Sequence, residues 1–455
     1  MPETGIIDEG LLEPVAVGSD AIVSDAAVVD ALVAAEVALA RAWGRLGVAP
    51  ARAVDEIADV LGWAGPGAPA RGHGVDIGRL AADAVAGGNP VIPLVDALRA
   101  RFEDPAKAWI HRGATSQDIL DTALMLTAAR AVAEIREHLG TLSAALRALA
   151  GAHRDTVAAA RTLTQHAVPT TVGLRVAAWL RGVARADERL ARLTLPAQLG
   201  GAGGTLAAFV EIAGSEIAAQ VPAAFAVELG LAVPDAPWHT TRWPVTELAD
   251  ALVQTVDAVG VMATDTATLG RTEIAELLEA AGGGSSAMPQ KQNPAASVLI
   301  RSAALRAPHL GATLHTAAAL AGDERPDGAW HAEWPALRAL LRLALGATRS
   351  TTLMAEGLRV QKAAVSRNLG LTDARIVSER LSIALAPLIG GERARELIAS
   401  ASGRAELAAL LRALPEAVDV DALLDPAGYT GLAGQLVDEA VTASLGGPAA
   451  GENLS

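Results

Sequence analysis

A hydroxyl, a cation and an amide lie within nine residues of one another in the segment GGGSSAMPQKQNP, residues 282–294. Ser285 supplies the hydroxyl, Lys291 the ammonium group and Asn293 the amide. The glycines before them predict a loop that is free to close over a ligand. Such a set could remove a proton and stabilise the negative charge that develops. A flexible linker would also be rich in Gly and Ser, but it would not need Met-Pro, Lys and Asn-Pro, so a catalytic loop is favoured.

Two other segments concentrate polar side chains ahead of helical sequence. HRGATSQD (111–118) could be a helix N-terminus, with Ser116 as the N-cap and Asp118 favoured by the helix dipole. Its surplus donors, Thr115 among them, also suit a ligand carboxylate at that N-terminus. RTLTQHAVPTT (161–171) places His166 beside Thr164 and Gln165. A lone histidine there is more often structural, whereas the Arg, Gln and Thr side chains around it favour a polar pocket.

Two further segments could contribute to a site, each with a structural alternative. GGAGGT (200–205) lacks the GxGxxG pattern and the Walker lysine, which favours close approach of the backbone to a ligand or a neighbouring chain over nucleotide binding. In WHTTR (238–242), Arg242 belongs either to a structural corner or to a clamp for a substrate carboxylate. The sequence has no HExxH metal motif and no GxSxG elbow, so zinc and acyl-enzyme chemistry have little support.

Composition narrows the function classes. The chain has 455 residues, 51% hydrophobic and 3% aromatic, and contains no cysteine, which excludes disulfides, thiolate nucleophiles and thiolate metal sites. Its net charge of −14 argues against a nucleic acid or an anionic membrane as partner. The acidic N-terminus does not look like a signal peptide, and no uncharged apolar run reaches the roughly 18 residues of a spanning helix. We therefore expect a cytoplasmic protein.

Long stretches rich in Ala and Leu predict the helices that must position these polar segments. Ser24 is the expected N-cap of a helix that runs to about Gly47, and GWAGPGAPARGHG (62–74) is an expected loop. Further helices are expected over 118–154, 245–281, 295–307 and 336–356. Helices far longer than the mean of about 11–12 residues indicate a bundle. The expected fold class is all-α with a long central helical bundle, divided into an N-terminal domain (1–105), a central domain (106–356) and a C-terminal domain (357–455).

The segment GSSAMPQKQNP (284–294) resembles the signature loop of the fumarase/aspartase superfamily. HRGATSQD and RTLTQHAVPTT precede it in the same order as the superfamily's other two active-site regions, and the similarity runs from about Ser24 to beyond Leu381. The resemblance implies a three-part helical protomer that forms a homotetramer around a twenty-helix core. It also implies active sites shared between subunits, a small polycarboxylate substrate, and no cofactor or metal.

Within the superfamily, the sequence is most similar to the bacterial 3-carboxy-cis,cis-muconate cycloisomerase branch. The shared segments are GNPVIPLV (88–95), GATSQDILDTA (113–123), QLGGAGGTLA (198–207), PWHTTR (237–242) and AWHAEW (329–334). Adenylosuccinate lyases carry a histidine-containing segment where this chain has residues 88–91, which disfavours that activity. The chain departs from the cycloisomerase branch at Arg112 (usually aromatic), at Trp243 (usually acidic), at Gln292 (usually basic) and over 323–327.

The resemblance also implies a role for each residue that matches a motif. Ser285 is the base at the carbon next to a carboxylate, and Lys291 and Asn293 bind the resulting aci-carboxylate. Ser286 and Met288 of the same loop are implied substrate contacts. His166 is the general acid or only orients the substrate. The other substrate-binding candidates are Thr115, Ser116, Thr164, Gln165, Arg242 and Arg325.

Three functions remain open at this point. The first is cofactor-independent cycloisomerisation of 3-carboxy-cis,cis-muconate to its carboxymuconolactone, in aromatic catabolism. The second is a lyase of the same superfamily that releases fumarate from a substituted succinate. The third is a helical assembly scaffold without catalysis, which the complete set of Ser285, Lys291 and Asn293 disfavours.

Overall fold

The computed structural model describes residues 10–280, 283–284, 287–288, 290–415 and 418–443. The helices in this part of the chain are α1 (Asp25–Arg45), α2 (Ala51–Val60), α3 (Ile77–Gly87), α4 (Val91–Arg99), α5 (Ser116–Ala152), α6 (Val172–Ala191), α7 (Ala207–Ala218), α8 (Val221–Leu229), α9 (Trp243–Leu269), α10 (Ala295–Ala319), α11 (Gly328–Gly357), α12 (Lys362–Leu369), α13 (Ser378–Ile389), α14 (Gly391–Ser400), α15 (Arg404–Arg412), α16 (Val420–Leu424) and α17 (Ala433–Thr442). Four short strands are β1 (Val157–Thr162), β2 (Gln165–Thr171), β3 (Leu277–Glu279) and β4 (Leu358–Val360).

The all-α class is confirmed, and so are several predicted helix ends. The side chain of Ser24 accepts a hydrogen bond from the backbone N–H of Ala27, which makes Ser24 the N-cap of α1 as expected. The predicted helix over 118–154 is α5, which spans Ser116–Ala152. Helix α11 begins at Gly328, ahead of Pro335, and α10 continues past Pro308. The predicted helices 295–307 and 336–356 stop next to these two prolines. In the structure the helices continue through them, because buried side chains on either side, such as Leu314 and Trp330, hold the helices together.

The helix predicted over 245–281 is wrong at its C-terminal end. Helix α9 stops at Leu269, and the chain then turns into β3, which pairs antiparallel with β4. The turn contains Ala275 at a φ of 52°, which no α-helix contains. The residues of β4 lie about 80 positions later in the sequence, so a pairing at long range overrides the local preference for helix.

The chain forms two compact units, each assembled from three stretches of sequence. Unit 1 contains residues 10–137, Arg189–Val256 and Ala303–Arg349. Unit 2 contains His138–Glu188, the described residues of 257–302 and those of 350–443. Each of the four longest helices, α5, α9, α10 and α11, contributes one part to each unit. The three-domain division drawn from the sequence stays a prediction.

In unit 1, an aromatic stack lies beside α1. The rings of Trp43 and Phe209 are stacked with centroids 5.4 Å apart, and Trp109 packs against Trp43 at 6.2 Å. The indole N–H of Trp43 donates to the carbonyl oxygen of Arg112 at 3.0 Å. This core residue therefore anchors the segment that leads into α5.

The N-terminal segment of unit 1 packs along α11. The guanidinium of Arg342 lies 2.6 Å from the carboxylate of Asp20, and Arg338 Nε donates to the carbonyl oxygen of Val23 at 2.6 Å. Gly346 of α11 lies against Val15, so closely that a methyl group on Gly346 would overlap the carbonyl group of Val15. Only glycine leaves room for the segment at this crossing.

In unit 2, β1 and β2 form a hairpin, and the C-terminal helices form an apolar cluster that also includes Ala159 of β1. The two-residue turn of the hairpin, Leu163-Thr164, has positive φ at both positions (48° and 71°), as a type I′ turn requires. The cluster includes Leu381, Leu385 and Leu411 of α13 and α15.

Among the described helices, none alone is long and apolar enough to cross a membrane. Helices α7 and α8 would reach that length only if they were counted together, across a bend of 88°.

Candidate active site

The first two turns of α5 carry buried polar side chains that organise one end of unit 1. Gln117, Asp118, Asp121 and Thr122 are all inaccessible or nearly so. Thr122 exchanges two hydrogen bonds with the backbone of Gln198, at 2.9 and 3.0 Å. Because a buried polar group without a partner is costly, this concentration at the start of one helix indicates a built site.

The carboxylate of Asp118 receives four short hydrogen bonds. One oxygen, Oδ1, accepts from the backbone N–H of Gly200 and from His239 Nε2, both at 2.8 Å. The other, Oδ2, accepts from the backbone N–H groups of Thr115 and Gly201, both at 2.9 Å. Asp118 thus does more than interact with the helix dipole, since it joins the start of α5 to the glycine segment.

The glycine segment 200–205 approaches its own chain closely. A methyl group on Gly200 would lie 2.8 Å from Pro237 Cβ and 2.9 Å from His239 Cε1. At Gly200 the backbone therefore lies close to the segment 237–239, and the predicted approach to a ligand or a neighbouring chain stays a prediction. Glycine is needed there because those two side chains occupy the space of a Cβ atom.

Thr115 and Arg325, two predicted substrate-binding residues, lie together in unit 1. Arg325 Nη2 donates to Thr115 Oγ1 and, at 3.4 Å, to the carbonyl oxygen of Ala202 in the glycine segment. Arg325 Nε is buried without a hydrogen-bond partner. Ser116 is half-buried at the first position of α5. The predicted anion-binding groups therefore include a guanidinium next to a helix N-terminus, an arrangement that suits a carboxylate or another planar anion.

Arg242, in contrast, is paired with protein side chains, which favours the structural corner over the clamp for a substrate carboxylate. Its guanidinium lies between two buried carboxylates, 2.7 Å from Asp121 and 2.5 Å from Glu333. Hydrogen bonds to these carboxylates and to the carbonyl oxygen of Trp238 occupy all five N–H donors. The two carboxylates raise the pKa of Arg242, although burial, the largest single effect, lowers it. Arg242 is a structural ion-pair residue.

His111 is a polar residue of this region to which the sequence assigned no role. It adopts a left-handed conformation with a φ of 59°, and its Nδ1 lies 2.7 Å from the carboxylate of the buried Glu36. Glu36 raises the pKa of His111 above its ordinary value, although burial acts to lower it. His111 stood in a polar motif, but its acidic partner lies 75 positions away, so no local signal revealed the pair.

In unit 2, the β1–β2 hairpin carries the next group of predicted residues. Thr164 occupies the turn, and Gln165 is the first residue of β2; both are exposed, and Gln165 Nε2 donates to Thr164 Oγ1 at 3.4 Å. His166 follows them, half-buried, with Nδ1 3.5 Å from the hydroxyl of Thr372. The hairpin therefore presents all three side chains within one short segment.

A buried ion pair next to the hairpin sets the electrostatic environment of His166. Arg161 donates to both carboxylate oxygens of Glu276, at 3.1 and 2.5 Å, and Asn368 donates to the same carboxylate at 2.9 Å. Burial and the charge of Arg161 lower the pKa of His166, with Glu276 opposing them. The imidazole is therefore mainly neutral at neutral pH.

The described residues of the signature loop lie at its base, also in unit 2. The backbones of Gly283 and Asn293 exchange hydrogen bonds at 2.8 and 2.9 Å, and the Asn293 side chain donates to the carbonyl oxygen of Gly284 at 3.4 Å. Lys291 is exposed, and Met288 is 44% exposed. Ser285 and Ser286 lie outside the described residues.

Glu279 anchors the chain on each side of this loop. Its carboxylate accepts hydrogen bonds from the backbone N–H groups of Ala296 and Ser297, both at 3.1 Å, at the start of α10. It also lines a small, partly open pocket, together with Thr266, Gly270, Leu277, Leu278, Gln292, Asn293 and Pro294. Asn293, a predicted ligand of the substrate, is thus one of the residues that line this pocket.

The sequence and the fold of this chain are similar to those of one family of enzymes. The family model for lyases matches residues 17–308. Nitrosuccinate lyase of Streptomyces davaonensis is 45% identical over 97% of this chain and 96% of its own length. 3-Carboxy-cis,cis-muconate cycloisomerase of Pseudomonas aeruginosa is 41% identical over 89% of this chain and 90% of its own. The crystal structure of the 3-carboxy-cis,cis-muconate lactonizing enzyme of Pseudomonas putida superposes with a TM-score of 0.81, at 36% identity, over 92% of this chain and 94% of that one.

Proposed function

Because this chain belongs to the fumarase/aspartase superfamily of lyases, we propose that it releases fumarate from a substituted succinate, with nitrosuccinate as substrate. The observation that carries the proposal is the 45% identity with a nitrosuccinate lyase, which extends over 97% of this chain. Fumarate release was the alternative that the sequence left open, and it now becomes the leading candidate.

The proposed reaction is an elimination. A base removes a proton from the CH₂ carbon, and the electron pair delocalises into the adjacent carboxylate as an aci-carboxylate. The C–C double bond then forms as the C–N bond breaks, and the nitro group leaves with the bonding pair as nitrite. By the resemblance, Ser285 is the base, with Ser286 and Met288 near the substrate. Lys291 and Asn293 stabilise the dianionic intermediate, since preorganised donors act where negative charge develops.

The lowered pKa of His166 supports a leaving group that needs no proton. A mainly neutral imidazole is a weak acid for protonating a departing amine or hydroxide. Nitrite is a weak base and leaves unprotonated. We therefore assign His166 an orienting role, in which it donates a hydrogen bond from one ring nitrogen to the substrate.

The remaining predicted residues bind the carboxylate and nitro groups of the substrate. Thr115, Ser116 and Arg325 form one group in unit 1, and Thr164 and Gln165 form another in unit 2. We propose that each group binds one planar acceptor group of the substrate, either a carboxylate or the nitro group, because both accept paired hydrogen bonds. We also propose a homotetramer whose active sites combine residues from several subunits; light scattering at micromolar concentration tests the assembly, and a monomer would contradict it.

Cycloisomerisation of 3-carboxy-cis,cis-muconate is the second candidate. It is supported by the 41% identity with the Pseudomonas aeruginosa cycloisomerase and by the shared segments around residues 88–95 and 329–334. The departures of this chain from that branch favour the lyase. Arg112 replaces an aromatic residue three positions before Thr115, and the divergent segment 323–327 supplies Arg325, which binds Thr115.

The test is to incubate the purified enzyme separately with nitrosuccinate, 3-carboxy-cis,cis-muconate, aspartate and malate. We expect nitrite, measured by diazotisation, and fumarate, measured by its ultraviolet absorbance, to appear in equal amounts from nitrosuccinate only. Loss of the muconate absorbance without nitrite release would favour the second candidate. Ser285→Ala should abolish nitrite release, whereas Ser400→Ala, at an exposed position of α14, is the matched control and should be fully active. Wild-type activity of Ser285→Ala would refute the assignment of the base.

A further inference from the structure

The carboxylate of Asp118 connects the two groups that hold Arg325. Its Oδ2 accepts the backbone N–H groups of Thr115 and Gly201, both at 2.9 Å. Arg325 Nη2 donates to the hydroxyl of the same Thr115 and to the carbonyl oxygen of Ala202, the residue after Gly201. Asp118 Oδ2 therefore sets the distance between Thr115 and Ala202, which are the two residues that accept hydrogen bonds from the Arg325 guanidinium.

His239 fixes the orientation of that carboxylate. Its Nε2 donates to Asp118 Oδ1 at 2.8 Å, and its backbone carbonyl oxygen accepts from Gln117 Nε2 at 2.9 Å. The imidazole also packs against Gly200, where even a methyl group would come within 2.9 Å of Cε1. Asp118 is fully buried, and in the described part of the chain no arginine or lysine forms an ion pair with it. The position of the carboxylate thus depends on N–H donors and on His239.

We propose that Asp118 and His239 are positioning residues that hold Arg325 and Thr115 in the geometry that binds the substrate. Neither needs to touch the substrate, because both act through the backbone of the glycine segment and the start of α5. The inference deepens the proposed function and rests on it, since it assigns Arg325 to the substrate anion.

The hydrogen-bond pattern makes asparagine a severe substitution at this position. Asp118 Oδ2 accepts from two N–H donors, and Oδ1 accepts from three, the third being Gln198 Nε2 at 3.5 Å. In Asp118→Asn, the amide NH₂ would face at least two N–H donors whichever way it is turned. The hydrogen bonds on that side of the side chain must then break, and the backbone segments that they hold must move apart. A shift of about 1 Å in a binding group can cost about 100-fold in kcat/KM, and we expect a loss of that order.

A double-mutant cycle separates positioning from a general loss of structure. Asp118→Asn, Arg325→Met and the double variant are compared by kcat/KM for nitrosuccinate, together with their melting temperatures. If Asp118 acts in part through Arg325, the loss of kcat/KM in the double variant should be at least about tenfold smaller than the product of the two single losses. Losses that multiply would overturn the proposal. Asp83→Asn, an exposed carboxylate on α3, is the matched control and should be fully active.

Two histidine variants keep the inference testable if Asp118→Asn does not fold. His239→Gln can still donate a hydrogen bond to Asp118 and should retain activity within about tenfold, whereas His239→Leu cannot and should lose about 100-fold. Equal activity of these two variants would also refute the proposal.

Failure of the proposed function would be recognised separately. If the wild-type enzyme releases no nitrite from nitrosuccinate, the cycle is measured instead on the dissociation constant of fumarate, determined by calorimetry. Coupling between Asp118→Asn and Arg325→Met in fumarate binding would support the positioning inference without turnover. Additive effects, or no fumarate binding by the wild type, would contradict it.

Discussion

Replacing Arg242 with methionine should destabilise the protein severely. The guanidinium and the carboxylates of Asp121 and Glu333 are each only 1–2% exposed, so the substitution leaves two buried carboxylates without a countercharge. Removing one partner from a buried ion pair costs about 3–5 kcal/mol. The indole N–H of Trp330 donates to Asp121 at 2.9 Å, so the position of this buried side chain would be less well fixed as well. We expect a loss of at least about 3 kcal/mol in the free energy of unfolding.

The loss should depend on pH in a defined direction. Burial raises the pKa of Glu333 above its ordinary value even with Arg242 opposing it, and without the arginine that pKa should rise further. A carboxyl group whose pKa is higher in the folded state stabilises the fold below its unfolded pKa, and this stability is lost as the pH rises through the folded pKa. The deficit of Arg242→Met relative to wild type should therefore grow between about pH 5 and pH 8.

The assay is urea unfolding followed by tryptophan fluorescence at pH 5 and at pH 8. Arg79→Met is the matched control, because Arg79 is 81% exposed and its ion pair with Asp83 lies at the surface. Surface pairs contribute about 0–1 kcal/mol, so this control should unfold almost like the wild type. A loss below about 1 kcal/mol for Arg242→Met, or a deficit that shrinks as the pH rises, would refute the structural role of Arg242.

Three further predictions concern other parts of the chain. Gly346→Ala should lower the free energy of unfolding by about 1–3 kcal/mol, because the added methyl group would lie 2.8 Å from the carbonyl carbon of Val15. It should also make the N-terminal segment more sensitive to limited proteolysis, and an unchanged cleavage pattern would contradict this contact. Leu163→Asn should leave thermal stability unchanged or raise it, since Leu163 is 96% exposed at positive φ, a conformation that Asn tolerates better; a fall in melting temperature would argue against the type I′ turn. Because the pKa of His166 is lowered, its titration followed by NMR should lie below 6.5, and a midpoint above that value would contradict the neutral imidazole.

Much of the fold could be predicted from local sequence patterns. Ser24 marks the start of α1 because an N-cap hydroxyl satisfies a backbone N–H only three residues away. The Ala- and Leu-rich stretches correctly predict the long helices, because helix propensity and periodicity act over a few turns. The end of α9 at Leu269 could not be predicted, since β3 exists only through its pairing with β4.

The family and the polar segments were likewise accessible from the sequence. Three motifs in a fixed order indicated the superfamily, and the comparisons confirm it. Their side chains are near neighbours in sequence, as Thr115 and Ser116 are, so tertiary structure was not required to group them. The identity of the substrate was not accessible in this way, because closely similar chains carry the names of different activities.

Arg242 and Arg325 show most clearly what only the tertiary structure decided. Both were candidates for a substrate carboxylate, since sequence reveals a guanidinium but not its neighbours. Folding places Arg242 between Asp121 and Glu333, which lie 121 and 91 positions away in the chain, and its donors are fully used. It places Arg325 beside Thr115, 210 positions away, with Nε unpaired. The sequence by itself determined the helices, the polar motifs and the family, whereas the function of a charged side chain depends on which distant groups the fold brings within hydrogen-bonding distance.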